Sequence, residues 1–241
     1  MGRVTASSPS ELAVQRRQIT PLLAPNDPAD ARAAYYALMH DERRVQLTLH
    51  TLASGQVDGF VAVCQTGRDL FVPLVVLRAP PGGGGDLLRE ALLAGRPYNV
   101  VTVPELRDDV ERAMLLEERR TNRVYVFDPS SYRPLLNVMV QPGVGPFRYE
   151  IRSGGRVVSA AGINWRSSRL AEMYVDSEPG VQRRGWDRAV GSACIRALLD
   201  EELLPLYITS DEEPLSSRLP LQLGLRDSGA TELECRGRLR M

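Results

Sequence analysis

Short apolar segments separated by turns dominate the hydrophobic pattern of residues 1–135. The first 18 residues are polar and predict a loosely attached leader, followed by a possible strand at 19–23. Five later segments are apolar or alternate in the way expected of strands. These predicted strands are residues 45–52, 59–64, 70–77, 98–103 and 123–127. Three segments have helical spacing instead, and these are residues 29–40, 86–93 and 106–120.

The same order of elements returns in the second half of the chain. Its predicted strands are residues 147–152, 156–165, 170–175 and 205–209, with terminal strands around 225 and at 231–239. Its predicted helices begin at residue 186 and at residue 216. Repeated element order without obvious sequence identity indicates two tandem halves. Prolines and glycines cluster between Pro129 and Pro146, so we expect a domain at 1–135 and another at 136–241.

The stretch from Leu170 to Leu199 carries the clearest chemical signal. A short apolar strand ends in a polar loop, and a long amphipathic helix begins after Gly185. The first N–H groups of a helix lack acceptors within the helix and point, with the positive end of the dipole, at whatever lies in front. Gly185 permits close approach of the backbone, while Arg183 and Arg184 can neutralise phosphate charge. The stretch therefore predicts a site for a diphosphate.

The segment Val175 to Gly185, VDSEPGVQRRG, resembles the acyl-CoA signature of the GCN5-related N-acetyltransferases (GNAT superfamily). Gln182 and Gly185 match the family's [QR]-x-x-G-x-[GA] loop, whereas Asp187 stands where the family has Gly or Ala. Ser216, Ser217, Gly224 and Leu225 also match positions further along the family pattern. The resemblance implies an α/β (α+β) chain of two tandem acyl-CoA N-acyltransferase-like domains, each a mixed, mostly antiparallel twisted sheet flanked by helices. It further implies that the N-terminal domain is degenerate.

The resemblance also implies an activity, which is acetyl transfer from acetyl-CoA to a primary amine of a small or amino-acid-like acceptor. In the family, the splayed end of the strand before the loop supplies backbone donors to the thioester. Transferred to this sequence, the acetyl-CoA-binding residues are Met173, Tyr174, Val175, Gln182, Arg183, Arg184, Gly185, Trp186 and Ser217. Trp186 is equally compatible with packing between the loop and the neighbouring strand.

The candidate acid and base are less sharply defined by the sequence. Glu172 on the strand is the candidate general base, although a surface carboxylate fits its position equally well. The family's helical Tyr falls on Pro220, which has no hydroxyl, so Tyr207 is the candidate acid. Thr209 in that role and departure of the thiolate without an acid are the alternatives. Asp187, Pro220 and Glu213 depart from the family pattern, which leaves open a non-catalytic acyl-CoA sensor or partner subunit, or a scaffold without CoA binding.

Composition narrows the remaining classes of function. Thirty basic and thirty acidic residues cancel, so no global field favours nucleic acid or an anionic membrane. The chain has no Lys, which excludes a GxxxxGK[ST] nucleotide loop, and its three Cys and two His show no metal-ligand spacing. With no apolar run of membrane-spanning length and no signal-peptide pattern, we expect a cytoplasmic monomer or homodimer.

One glycine-rich segment offers a second candidate for phosphate binding. Gly82 to Gly85 lie between an apolar strand and a helix, as in a phosphate cradle. The loop contains no Arg or Gln, and Asp86 stands at the expected N-cap. We therefore expect a flexible connector rather than a phosphate site.

Overall fold

The computed structural model describes residues 9–67, 69–180, 184–212 and 218–240. The chain forms two compact units, one of Met1–Asn122 with Thr231–Met241 and one of Arg123–Ala230. The boundary expected at residue 135 lies within the second unit, and the C-terminal segment belongs to the first. No helix in the described ranges has the length and apolar character needed to cross a membrane.

The first unit is a mixed sheet with helices packed against it. Its strands follow the order β1-β2-β3-β4-β11-β5, in which β1, β2 and β3 are antiparallel and β3 and β4 are parallel. The strands are β1 (Val45–Thr51), β2 (Val57–Cys64), β3 (Leu74–Arg78), β4 (Pro97–Thr102), β5 (Met114–Phe127) and β11 (Leu225–Leu239). The helices are α1 (Pro9–Ile19), α2 (Ala31–Ala34), α3 (Gly84–Ala91) and α4 (Arg107–Ala113). Apolar residues of α3 and α4, including Leu88 and Val110, are buried in one core with the strands.

The second unit repeats this architecture around one long helix. Its strand order is β11-β5-β10-β9-β8-β7-β6, with β9 and β10 parallel and β6 to β9 antiparallel. The additional strands are β6 (Gln141–Pro142), β7 (Tyr149–Ser153), β8 (Arg156–Arg166), β9 (Leu170–Ser177) and β10 (Leu204–Ser210). The helices are α5 (Trp186–Asp200) and α6 (Arg218–Gln222). Val190, Cys194 and Leu198 recur every four residues along α5 and are buried in a core with Ile151 and Met173.

Two long strands pass from one unit to the other. β5 begins in the first unit and ends in the second, whereas β11 begins in the second and ends in the first. In the first unit, residues Leu233 to Arg238 of β11 pair antiparallel with β4. The last strand of the chain therefore completes the sheet of the first unit.

The expected fold class is confirmed, but four local expectations were wrong. The expected leader contains α1, whose Leu12 and Ile19 are buried, and the expected strand at 19–23 is the end of α1 followed by a 3₁₀ turn. The helix expected at 106–120 ends at Ala113, because β5 starts directly at Met114. The expected pair of terminal strands is the single strand β11.

Candidate functional site

The parallel strands β9 and β10 separate part-way along their length. Their pairing runs from Leu170 opposite Leu204 to Met173 opposite Tyr207 and ends there. β9 nevertheless continues to Ser177 and β10 to Ser210. Beyond the last pair, the facing backbone groups are released from the parallel ladder and can bind another molecule. The second unit thus has an opening in its sheet at the carboxyl ends of two parallel strands.

Tyr207 lies at the point where this opening begins. Its side chain is half-buried, and its hydroxyl is hydrogen-bonded with the backbone of Val175. Burial raises the pKa of Tyr207, and the hydrogen bond with Val175 lowers it. The negative charges of Asp187 and Glu172 raise the pKa further. Tyr207 therefore keeps its proton at neutral pH.

Glu172 is a buried carboxylate, only 5% exposed, held by two donors from the neighbouring strand. Its Oε1 accepts a hydrogen bond of 2.6 Å from Asn164 Nδ2, and its Oε2 accepts one from Trp165 Nε1. The register of β8 against β9 shifts between Ile163 and Trp165, which presents both donors to the carboxylate. Of the two alternatives from the sequence, the surface carboxylate was therefore wrong.

Tyr174 belongs to a polar strip beside Glu172 on the same face of the sheet. Its hydroxyl accepts a 2.8 Å hydrogen bond from Arg148 Nη1, and Arg148 Nε lies 3.5 Å from Glu150 Oε2. The tyrosine ring lies over Gly162, where an added Cβ would come within 2.7 Å of the hydroxyl oxygen. A glycine at 162 is therefore required for Tyr174 to adopt this position.

Helix α5 begins beside the described end of the polar loop. Gly185 is its N-cap with φ of 70°, and the first helical hydrogen bond runs from the N–H of Ala189 to the carbonyl of Gly185. The guanidinium of Arg184 lies 4.9 Å from the centre of the Trp186 ring. The side chain of Asp187 turns to the adjacent backbone, where its Oδ1 accepts a hydrogen bond from the N–H of Arg188. A carboxylate therefore occupies part of the helix start.

The structure locates most of the residues selected from the sequence. Val175 and Tyr207 lie together at the opening, where the Tyr207 hydroxyl meets the backbone of Val175. Glu172 lies in the paired part of β9, opposite Leu206, and its side chain is on the other face of the sheet from Tyr207. Met173 and Trp186 are buried in the core of the second unit, and Val175 packs against that core. The buried side chains of Met173 and Trp186 are thus not available to a ligand, whereas Val175 is half-buried. Gln182, Arg183 and Ser217 lie outside the described residues.

Comparisons with solved structures identify this architecture. A GCN5-related N-acetyltransferase-like protein from Streptococcus suis matches 95% of the chain and 100% of its own length, with 16% identity and a TM-score of 0.64. A GCN5-related N-acetyltransferase from Sphaerobacter thermophilus matches 98% of this chain and 95% of its own, with 11% identity and a TM-score of 0.63. The chain has the GNAT fold.

The tandem arrangement is also found among the similar structures. A tandem GNAT protein from the clavulanic acid biosynthesis pathway covers 98% of the chain and 97% of its own length, with 10% identity and a TM-score of 0.58. No protein-family model and no curated protein matches the sequence. At these identities the similarity establishes the GNAT fold, and chemistry has to be argued from the residues.

In the first unit, a carboxylate lies at the start of α3, the helix that corresponds to α5 of the second unit. The N–H groups of Gly82 and Gly84, at the start of α3, lie 2.9 and 3.4 Å from Asp109 Oδ2 of α4. Asp109 is 3% exposed and also pairs with Arg112. The glycine-rich segment is therefore tied down by an internal carboxylate, and Asp86, which pairs with Arg89, is not its cap. Sequence reasoning missed Asp109 because it lies 25 residues from Gly84.

Two other residues take purely structural positions in the second GNAT half. Pro220 is buried within the short helix α6. Cys194 is buried in the core, and burial raises the pKa of its thiol to about 12. Neither supplies an acid or a nucleophile to the opening.

Proposed function

We propose that the protein is an acetyl-CoA-dependent N-acetyltransferase that acetylates a primary amine of a small or amino-acid-like acceptor. The observation that carries this proposal is the opening between β9 and β10, with Tyr207 beside it and the start of α5 nearby. The second unit provides the site, since Asp109 occupies the corresponding helix start in the first unit.

The residues present fit acetyl-CoA as the acyl donor. Released backbone groups of β9 can bind the amide-rich arm and the thioester, and the helix start is suited to phosphate. At Gly185, an added Cβ would meet no described atom within 4 Å, so there is space beside this residue. Arg184 is exposed, so its guanidinium is available to the phosphates, and Gln182 and Arg183 precede it in the sequence.

The chemistry requires one bond to form and one to break. The neutral amine attacks the thioester carbonyl, a C–N bond replaces the C–S bond, and CoA leaves as a thiolate. We assign stabilisation of the developing oxyanion to the backbone N–H of Val175, which faces the opening and would exchange its bond with the Tyr207 hydroxyl for one with the substrate. Glu172 is the candidate base, whose carboxylate would take the amine proton directly or through water. Tyr207 gives its proton to the thiolate.

A second function, acyl-CoA binding without turnover, is favoured by specific features. The Asp187 carboxylate lies at the helix start, where it would repel phosphate. Pro220 replaces the family's hydroxyl donor, and both oxygens of Glu172 are already hydrogen-bonded. A protein of this kind would act as a sensor or partner subunit.

Calorimetric titration with acetyl-CoA tests cofactor binding. We expect the double variant Arg183→Ala, Arg184→Ala to weaken binding at least about tenfold, the loss expected for removed phosphate contacts. The matched control is Arg43→Ala, Arg44→Ala, an adjacent exposed pair in the first unit, which should bind like wild type. Absence of binding at millimolar acetyl-CoA would overturn both candidate functions.

Turnover with a panel of primary amines, followed by release of free thiol, separates enzyme from sensor. The protein's own cysteines are buried, and burial raises the pKa of Cys64, Cys194 and Cys235 to about 12, 12 and 11, so background reaction should be low. In an enzyme, Tyr207→Phe should lower kcat about 10²-fold while acetyl-CoA affinity stays within about twofold. Binding without thiol release on any amine would favour the sensor.

A further inference from the structure

A second cavity lies in the second unit, away from the opening between β9 and β10. It has a volume of about 320 Å³ and lies between helix α5 and the segment 132–142. The segment is anchored on Ser192, whose Oγ accepts a 2.9 Å hydrogen bond from the N–H of Leu135 and lies 3.3 Å from the hydroxyl of Tyr132. The volume is at the lower end of the range for ligand pockets, so it suits a compact molecule.

The walls of this cavity are largely apolar. Leu135 and Val140 of the covering segment face Ala193 and Ala197 of α5, and Tyr149 of β7 closes one side. The alanines leave the space open because their side chains end at Cβ. These walls select a branched or aromatic apolar group, which loses contact with water when it enters.

Two opposite charges stand at the mouth of the cavity. Arg196 and Asp200 both line it, are exposed, and lie one helical turn apart. In the described part of the chain they do not form an ion pair with each other, and Arg196 donates no hydrogen bond. Asp200 is the last residue of α5, where the negative end of the helix dipole also favours a cation. An anion-binding and a cation-binding group are thus available side by side.

We propose that this cavity binds a free α-amino acid with a bulky apolar side chain. The carboxylate pairs with Arg196, the ammonium group pairs with Asp200, and the side chain enters between Val140 and Ala193. A carboxylate and an ammonium group on one carbon match the two adjacent charges, whereas a simple hydrocarbon or a lone anion would use only part of the site. The proposal does not depend on acetyl-CoA binding.

The test is titration of the full-length protein, without acetyl-CoA, with L-leucine and L-phenylalanine. N-acetyl-L-phenylalanine lacks the ammonium charge and L-phenylalanine amide lacks the carboxylate, so each probes one end of the site. We expect at least one of the two amino acids to bind at millimolar concentration or tighter, and each analogue of phenylalanine to bind about tenfold more weakly than phenylalanine itself, or not detectably.

Three variants locate the binding. Ala193→Leu fills the cavity and should abolish binding, while Arg196→Gln and Asp200→Asn should each weaken it about tenfold. Arg17→Gln, at an exposed helical arginine of the first unit, is the matched control and should leave binding unchanged. A thermal melt establishes that each variant is folded. No binding of either amino acid at 10 mM, about tenfold above the weakest affinity expected, or binding that Ala193→Leu leaves intact in a folded protein, would overturn the proposal.

Discussion

Glu172→Ala should destabilise the second unit strongly, whatever the catalytic role of the residue. The change leaves a buried donor, Trp165 Nε1, and a half-buried donor, Asn164 Nδ2, without the acceptors they now have. A buried donor left unsatisfied costs about 1–3 kcal/mol and a half-buried one less, because water can reach it, so the expected loss is about 1–4 kcal/mol. That is a large share of the roughly 5–15 kcal/mol by which folded domains are stable.

Urea unfolding followed by tryptophan fluorescence is the direct measurement. The chain contains two tryptophans, Trp165 and Trp186, and both belong to the second unit, so the signal reports on that unit. The control is Glu178→Ala, which removes an ion pair 3.4 Å from Arg156 on a half-exposed side chain and should cost less than about 1 kcal/mol. A loss below about 1 kcal/mol for Glu172→Ala would refute the reasoning, because the two donors would then have found other acceptors.

Three further predictions concern other parts of the molecule. Gly224→Ala should lower the free energy of unfolding by at least about 2 kcal/mol in the same urea assay, because φ is 82° and the new Cβ would lie 2.5 Å from Tyr132 Cα. The control Gly229→Ala has a similar φ of 79° but open space around it, and should lower that free energy by only about 1 kcal/mol. Asp109→Ala should speed amide hydrogen exchange at Gly82 and Gly84, because it removes the acceptor of their N–H groups. The control Asp108→Ala changes an exposed neighbouring residue and should leave the exchange unchanged. Burial alone would raise the pKa of Glu234, but Arg32, Arg120 and Asn99 lower it to about 2. The wild-type protein should therefore lose stability as the pH falls from about 4.5 to 2, and Glu234→Gln should lose less stability over that range. An equal acid dependence of the two proteins would contradict this.

The repeated pattern of strands and helices was readable because each element has its own periodicity and ends at a turn. The alternation in β1 and the apolar runs of β2 and β9 predict strands close to the observed ones. α1 was missed because its sequence is mostly polar and only Leu12 and Ile19 reach the core. The end of α4 was missed because no glycine or proline lies near Ala113 to mark it. Pairing of β5 in the sheet decides where the helix ends.

The candidate site was partly predictable for a different reason. The strand, loop and helix around Gly185 follow each other in sequence, so local chemistry identifies them. The environment of Glu172 depends on a register shift in the adjacent strand, which brings Asn164 and Trp165 to its carboxylate. No local pattern encodes that register, and the same is true of Asp109 at the start of α3.

The path of β11 has a consequence for how the protein is made on the ribosome. β4 pairs with residues Leu233 to Arg238 of β11. The partner of Thr102 in this pair, Leu233, is synthesised more than a hundred residues later. During translation, the N-terminal part of the chain can collapse, but β4 keeps an open edge until the C-terminal strand emerges. A nascent chain stalled before Thr231 should therefore need chaperone protection of that edge, while the strands of the second unit that are already complete can pair.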